Sequence, residues 1–127
     1  SVQIGPQSAA VRIVNLAPGN TISLYNTTNG APGVQVAGLT NVPYGSPSSG
    51  SSGSTLINGY AIITPASDTT NPVTQYRFNV DSSAGTTLAT FGPAQLNAGH
   101  AYTLWVYPAP GANVETQNLL VTPSLDE

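Results

Sequence analysis

Alternation is the pattern that most constrains this chain. Apolar and polar residues change places with period two in one segment after another, and no segment carries the 3.6-residue period of an amphipathic helix. Tyr76, Phe78 and Val80 alternate with Gln75, Arg77, Asn79 and Asp81, the clearest half-buried strand in the sequence. Val11, Ile13 and Asn15 alternate with Arg12, Val14 and Leu16, and Ile22 and Leu24 with Thr21, Ser23 and Tyr25. Tyr102, Leu104 and Val106 alternate with Thr103, Trp105 and Tyr107. Shorter apolar pieces stand at Val34 and Val36, at 39–44, from Leu56 to Ile63, at 88–91 and at 114–121. Gly, Pro and Asn punctuate them. Asn29-Gly30 is the strongest hairpin signal, in a loop that Pro32 lengthens. Short strands at this spacing predict an all-β fold, an immunoglobulin-like antiparallel β-sandwich of about seven to nine strands.

The chain has 127 residues, enough for one domain with a sizeable core. The Ser- and Gly-rich stretch 46–54 and the Pro-bounded stretch 65–72 read as loops within it. Residues 10–127 are assigned to the sandwich and 1–9 to an N-terminal arm. In that arm Val2 and Ile4 alternate with Ser1, Gln3 and Gly5, ahead of Pro6. A free arm with two large apolar side chains frays unless it pairs. It can pair with its own sheet, or residues 1–7 can add a strand to the open edge of a neighbouring copy. Burying Val2 and Ile4 would stabilise such a joint by about 1.5–3 kcal/mol each, before backbone hydrogen bonds and the cost of ordering. A head-to-tail joint of this kind does not close on itself and gives a filament.

Composition removes several functions. Charged residues are 6% of the chain, against about 25% in an ordinary soluble domain. Arg12 and Arg77 are the whole basic complement, and the formal net charge is −3. That cannot make a phosphate-binding footprint or a polybasic membrane anchor. Without cysteine there is neither a disulfide framework nor a thiolate metal site. No apolar run approaches the roughly 18 residues of a membrane span, so no membrane insertion is expected. The chain opens without a basic region followed by an apolar one. A mature chain whose signal peptide has been removed is the expected form, at the cell surface or outside the cell. A surface without Lys, Met or Cys resists proteolysis and oxidation, which suits that location.

The most specific local feature is LNAGHAY over residues 96–102. Gly99 permits a tight corner, and Tyr102 follows near the start of the next strand. Leu96, Gly99 and Tyr102 therefore read as a structural tyrosine corner, in which the phenol bonds back to the upstream backbone.

AVRIVNLAP over residues 10–18, VPYG over 42–45 and the block from Leu96 to Val106 stand in that order. Together they resemble a widespread family of bacterial and archaeal surface domains of unknown function. That family opens V-R-V-V-N-A-S-P, has a V-A-Y-G turn and closes L-x-A-G-x-x-Y-T-V-x-V. Gly19-Asn20 replaces the Asp-Ala-Pro usual after the first proline, and the loops at 46–54 and 64–72 are longer. The resemblance implies a secreted immunoglobulin-like module and no particular activity.

The residues that carry chemistry are sparse. His100 is the sole histidine and has no cysteine or second histidine to share a metal. It reads as a corner residue beside Gly99. The acids are Asp68, Asp81, Glu115, Asp126 and Glu127, with no spacing that pairs two across a cleft and no calcium loop. Asp81 reads as a solvated charge or weak ion pair beside Arg77, and Asp126 and Glu127 as an acidic tail that frays unless something holds it. No G-x-S-x-G elbow is present, and Gly50-Ser-Ser-Gly53 lacks the lysine and helix of a phosphate cradle. No catalytic activity, cofactor or metal is expected. Asn26-Thr27-Thr28 is an N-glycosylation sequon.

The segment 101–107 is apolar on both faces. One face belongs in the core; the other offers Trp105 and Tyr107 as a contact surface, joined in this reading by Tyr25. The leading expectation is a structural subunit of an extracellular filament or surface layer. It would bind other copies of itself through strand donation by Val2 and Ile4. The alternative is a surface-glycan-binding or adhesion module using the exposed aromatics.

Overall fold

A computed structural model describes residues 8–28, 30, 32–45, 56, 59–63, 73–97, 99–111 and 118–127. Within these, the strands are β1 (Ala9–Asn15), β2 (Ile22–Asn26), β3 (Val34–Gln35), β4 (Ala61–Ile63), β5 (Val73–Ser82), β6 (Thr87–Asn97), β7 (Ala101–Pro108) and β8 (Leu119–Leu125). They form two four-stranded sheets, one ordered β4-β1-β7-β8 and the other β3-β2-β5-β6. Their inner faces meet in one apolar core, so the fold is an immunoglobulin-like β-sandwich. Val2 and Ile4 lie outside the described residues.

The alternation read from the sequence is the division between core and surface. Val11, Ile13, Leu24, Phe78, Val80, Leu104 and Val106 are fully buried. The Tyr76 and Phe78 rings stack with centroids 6.1 Å apart, and Phe78 and Phe91 follow at 6.0 Å. These rings fill the space between the sheets with large apolar area.

The pairing differs from the all-antiparallel expectation at one place. β1 runs parallel to β7, from Ala10 opposite Ala101 to Asn15 opposite Val106. A parallel pair requires a long connection, and here the whole second sheet lies between the two strands in sequence. Other differences are local. The piece at 39–44 is no strand: Val42 makes a single bridge to Ile22, between turns at Gly38 and Asn41. Gly38 needs its glycine twice over, because φ is +85° and a Cβ there would meet the Leu56 side chain at 2.6 Å. Val34 is 73% exposed, while Val36 is buried. β6 continues past Phe91 through a bulge at Gly92-Pro93, opposite Arg77.

Asn15 ends β1 and organises the turn after it. It is fully buried, and a carboxamide buried without partners would cost several kcal/mol. Its Nδ2 donates to the carbonyls of Asn20 (2.8 Å) and Val42 (3.0 Å), and its Oδ1 accepts the Ala17 N–H at 2.9 Å. Its own carbonyl accepts the Gly45 N–H at 2.9 Å, and the next N–H, that of Leu16, donates to Val106 O at 2.7 Å.

Candidate functional site

The outer face of the β4-β1-β7-β8 sheet gathers most of the chemistry of the described residues. Since Tyr102, Leu104 and Val106 point into the core, alternation turns Thr103, Trp105 and Tyr107 outward. The same rule turns out Arg12 and Val14 from β1, Leu120, Thr122 and Ser124 from β8, and Tyr60 and Ile62 at β4.

Trp105 and Tyr107 are half-buried on this face. The Trp105 indole N–H donates to Ser124 Oγ at 2.8 Å, and the Tyr107 phenol shares a hydrogen bond with Thr122 Oγ1 at 2.7 Å. Both polar tips are therefore fixed against β8. Leu120, opposite Tyr107, is exposed, as are Leu16 after β1 and Ile62 on β4. Tyr25 is not part of this surface. It lies on β2 in the opposite sheet, paired with Gln35 and Asn79, with Ile22 and Leu24 directed to the core. The contact surface read from the sequence reduces to Trp105 and Tyr107.

Next to the aromatics runs a polar chain that crosses the sheet. Arg12 Nε donates to Thr103 Oγ1 at 2.8 Å, and the Thr103 hydroxyl donates in turn to Asp126 Oδ2. Tyr60 OH donates to the same carboxylate oxygen at 2.7 Å, and its ring carries the Arg12 guanidinium 5.1 Å from its centroid. Arg12 and Asp126 are themselves 3.9 Å apart. Both are partly exposed, so the direct ion pair contributes little, and the hydroxyl bridge is the better link. Burial pushes the Tyr60 phenol pKa above 10.0, and its hydrogen bond to the Asp126 carboxylate raises it further. A neutral phenol is the donor this arrangement needs.

Asp126 is thus not a frayed acid. Its backbone N–H also donates to Ala101 O at 2.8 Å, and the Ala101 N–H donates to Glu127 O at 2.8 Å. His100 rests against the same tail, with Nδ1 3.2 Å from Glu127 O. The sequence contained no local signal for this buckle: Tyr60 and Asp126 are 66 residues apart, and Arg12 and Thr103 are 91 apart.

At the corner, the Tyr102 phenol oxygen accepts the Asn97 N–H at 2.8 Å. Leu96 is buried beneath it, and Gly99 turns with φ +83°. Gly99 N–H also donates to Ser8 O at 2.7 Å, so the corner touches the start of β1. Asn26 stands at the end of β2. Its Oδ1 accepts both the N–H (3.0 Å) and the hydroxyl of Thr28, folding the sequon into a compact turn. Asp81 accepts the Thr87 hydroxyl at 2.9 Å. Among the described residues, no group of His, Asp and Glu could hold a metal ion.

No protein-family model matches the sequence, and no curated protein matches it.

Proposed function

We propose that this chain is a structural subunit of an extracellular filament or surface layer. Copies join head to tail when the N-terminal residues of one, through Val2 and Ile4, add a strand to the next. The observation that carries this reading is the way the chain enters β1. Ser8 O is held by Gly99 N–H, in line with β1, at the end of the sandwich where Glu127 also lies. Ser8, the first described residue, therefore stands at the rim of the sandwich. The kinship with the bacterial and archaeal surface-domain family is part of the proposal. It draws support from the end of β1, where Asn15 hydrogen-bonds to Ala17, Val42 and Gly45 and the next residue, Leu16, donates to Val106, so that the three resembling segments meet.

Negative-stain electron microscopy of native, unboiled material tests the reading. Regular fibres or sheets are expected, and deletion of residues 1–7 is expected to leave a folded monomer. Dispersed particles of wild-type protein, or unchanged assembly after the deletion, would overturn it.

A second reading, a glycan-binding module, is favoured by one arrangement. Trp105 and Tyr107 stand on one face with Thr122 and Ser124 hydroxyls beside them, the mixture of flat apolar area and neutral hydroxyls that suits a sugar ring. It predicts a monodisperse protein whose glycan-array signal is lost in Trp105→Ala.

A further inference from the structure

An edge strand offers the backbone groups on its outer side to any other strand that reaches it. β8 is such a strand, because it ends the sheet β4-β1-β7-β8. Its sequence, LLVTPSL, carries no charge. Leu120, Thr122, Pro123 and Leu125 are exposed, Leu125 to 63%. An uncharged, largely apolar edge invites pairing with a second copy, and charged side chains, lysine above all, are the common protection. This chain has no lysine, and its two arginines lie elsewhere, Arg12 in β1 and Arg77 in β5. A protein so poor in charge needs another device on β8.

The backbone hydrogen bonds show where that device sits. Asp126 N–H bonds to Ala101 O, and Ala109 N–H to Asn118 O, so the even-numbered residues of β8 direct their backbone groups to β7. Leu119, Val121, Pro123 and Leu125 therefore direct theirs outward. Pro123 stands in the outward row. Its missing N–H removes no bond to β7 there, and it interrupts the row that a further strand would need. One position earlier or later, the same residue would break the ladder to β7. The other edge on this flank is also irregular. β6 borders β8 from the opposite sheet and carries its bulge at Gly92-Pro93, where Gly92 takes φ +106°.

We propose that Pro123 is an edge guard, which keeps β8 from pairing with the β8 of a second copy and closes this flank of the sandwich to sideways association. The pairing it bars is antiparallel and would join two four-stranded sheets into one continuous sheet. The guard does not depend on residues 1–7, and it serves a monomer as well as a subunit joined end to end. In either case contacts between copies are confined to other parts of the surface.

Amide hydrogen exchange and sedimentation of the full chain test this. In the wild type the Val121 and Leu125 amides should exchange fast, and those of Thr122 and Ser124, which face β7, slowly. Pro123→Thr restores an N–H without adding apolar area. It should slow exchange at Val121 and Leu125 by about tenfold or more and raise the sedimenting mass about twofold or more as concentration rises. Adding Val121→Pro to that variant moves the proline to another outward position and should reverse both changes. Slow exchange at Val121 and Leu125 in the wild type would overturn the proposal, since the edge would already be covered. Unchanged exchange and mass in Pro123→Thr would overturn it too, since the proline would then guard nothing. Should the double variant fail to fold, Pro123→Thr against wild type decides alone.

Discussion

The side-chain amide of Asn15 donates to the carbonyl oxygen of Val42 at 3.0 Å, joining the end of β1 to a segment 27 residues further along. With its bonds to Asn20 and Ala17, the carboxamide satisfies three backbone groups at once. Asn15→Ala removes all of these bonds from a fully buried site. The expected loss is about 2–4 kcal/mol, or a fall in Tm of roughly 10 °C. Asn15→Asp should be no better, because a carboxylate presents oxygen to two carbonyls that need a donor. Thermal melts of both variants within a degree of wild type would refute this account of the turn.

Two tyrosines in neighbouring parts of the core should respond to loss of their hydroxyls in opposite ways. The Tyr102 phenol accepts the Asn97 N–H, whereas the Tyr76 hydroxyl is buried with no hydrogen-bond partner among the described residues. Tyr102→Phe should cost about 1 kcal/mol, and Tyr76→Phe should be neutral or stabilise by up to about 1 kcal/mol. Urea unfolding of the two variants side by side checks the order, which is the informative quantity.

Alkali should destabilise the fold through Tyr60 and Tyr76. Burial is the main cause that raises both phenols above the usual 10.0. The unfolded chain therefore releases these protons at lower pH than the folded one, and binds fewer of them once pH passes that value. Stability from these groups is complete below about pH 9 and falls as pH rises through their folded pKa values. Melting temperature should decline above about pH 10, and the decline should be shallower in the Tyr60→Phe, Tyr76→Phe double variant. An equal slope in that variant would assign the alkaline loss elsewhere.

The strands were legible in the sequence wherever one face is buried and the other wet, as at Tyr76, Phe78 and Val80, because period two then appears in the letters. It failed where burial is not one-sided. Val14 is buried on the outer face, and Thr103 is fully buried there although polar, so neither obeys the inside–outside rule. In the short piece at Val34 and Val36 two letters are too few to say which face is buried, and the two valines differ: Val34 is exposed and Val36 buried. Parallel pairing of β1 with β7 left no local mark, since it depends on what lies between them. For the contact surface, Trp105 and Tyr107 could be read from one strand's alternation. Tyr25 could not be excluded without knowing the sheet assignment, and Asp126 could not be recognised without the residues that hold it.

The buckle at Asp126 should hold the end of β8 and the tail after it. The carboxylate takes hydrogen bonds from Tyr60 and Thr103, with Ser124 Oγ 3.4 Å from its other oxygen. Asp126→Ala leaves the buried Thr103 hydroxyl without this acceptor, at an expected cost of about 1–2 kcal/mol, reduced from a fully buried case because the side chain is partly exposed. Asp126→Asn keeps one oxygen, which can accept from both Tyr60 and Thr103 as Oδ2 does, and should lose less than half as much. Trp105 supplies a second readout, since its indole bonds to Ser124 and it is the sole tryptophan of the chain. Its emission should shift in Asp126→Ala before global unfolding, as Ser124 loses its neighbour. Hydrogen exchange should rise at the Ala101 and Asp126 amides, which bond across the same end of the sheet. Unchanged emission and unchanged exchange would mean that the backbone ladder alone secures β8, and that the side-chain chain across the face adds nothing to it.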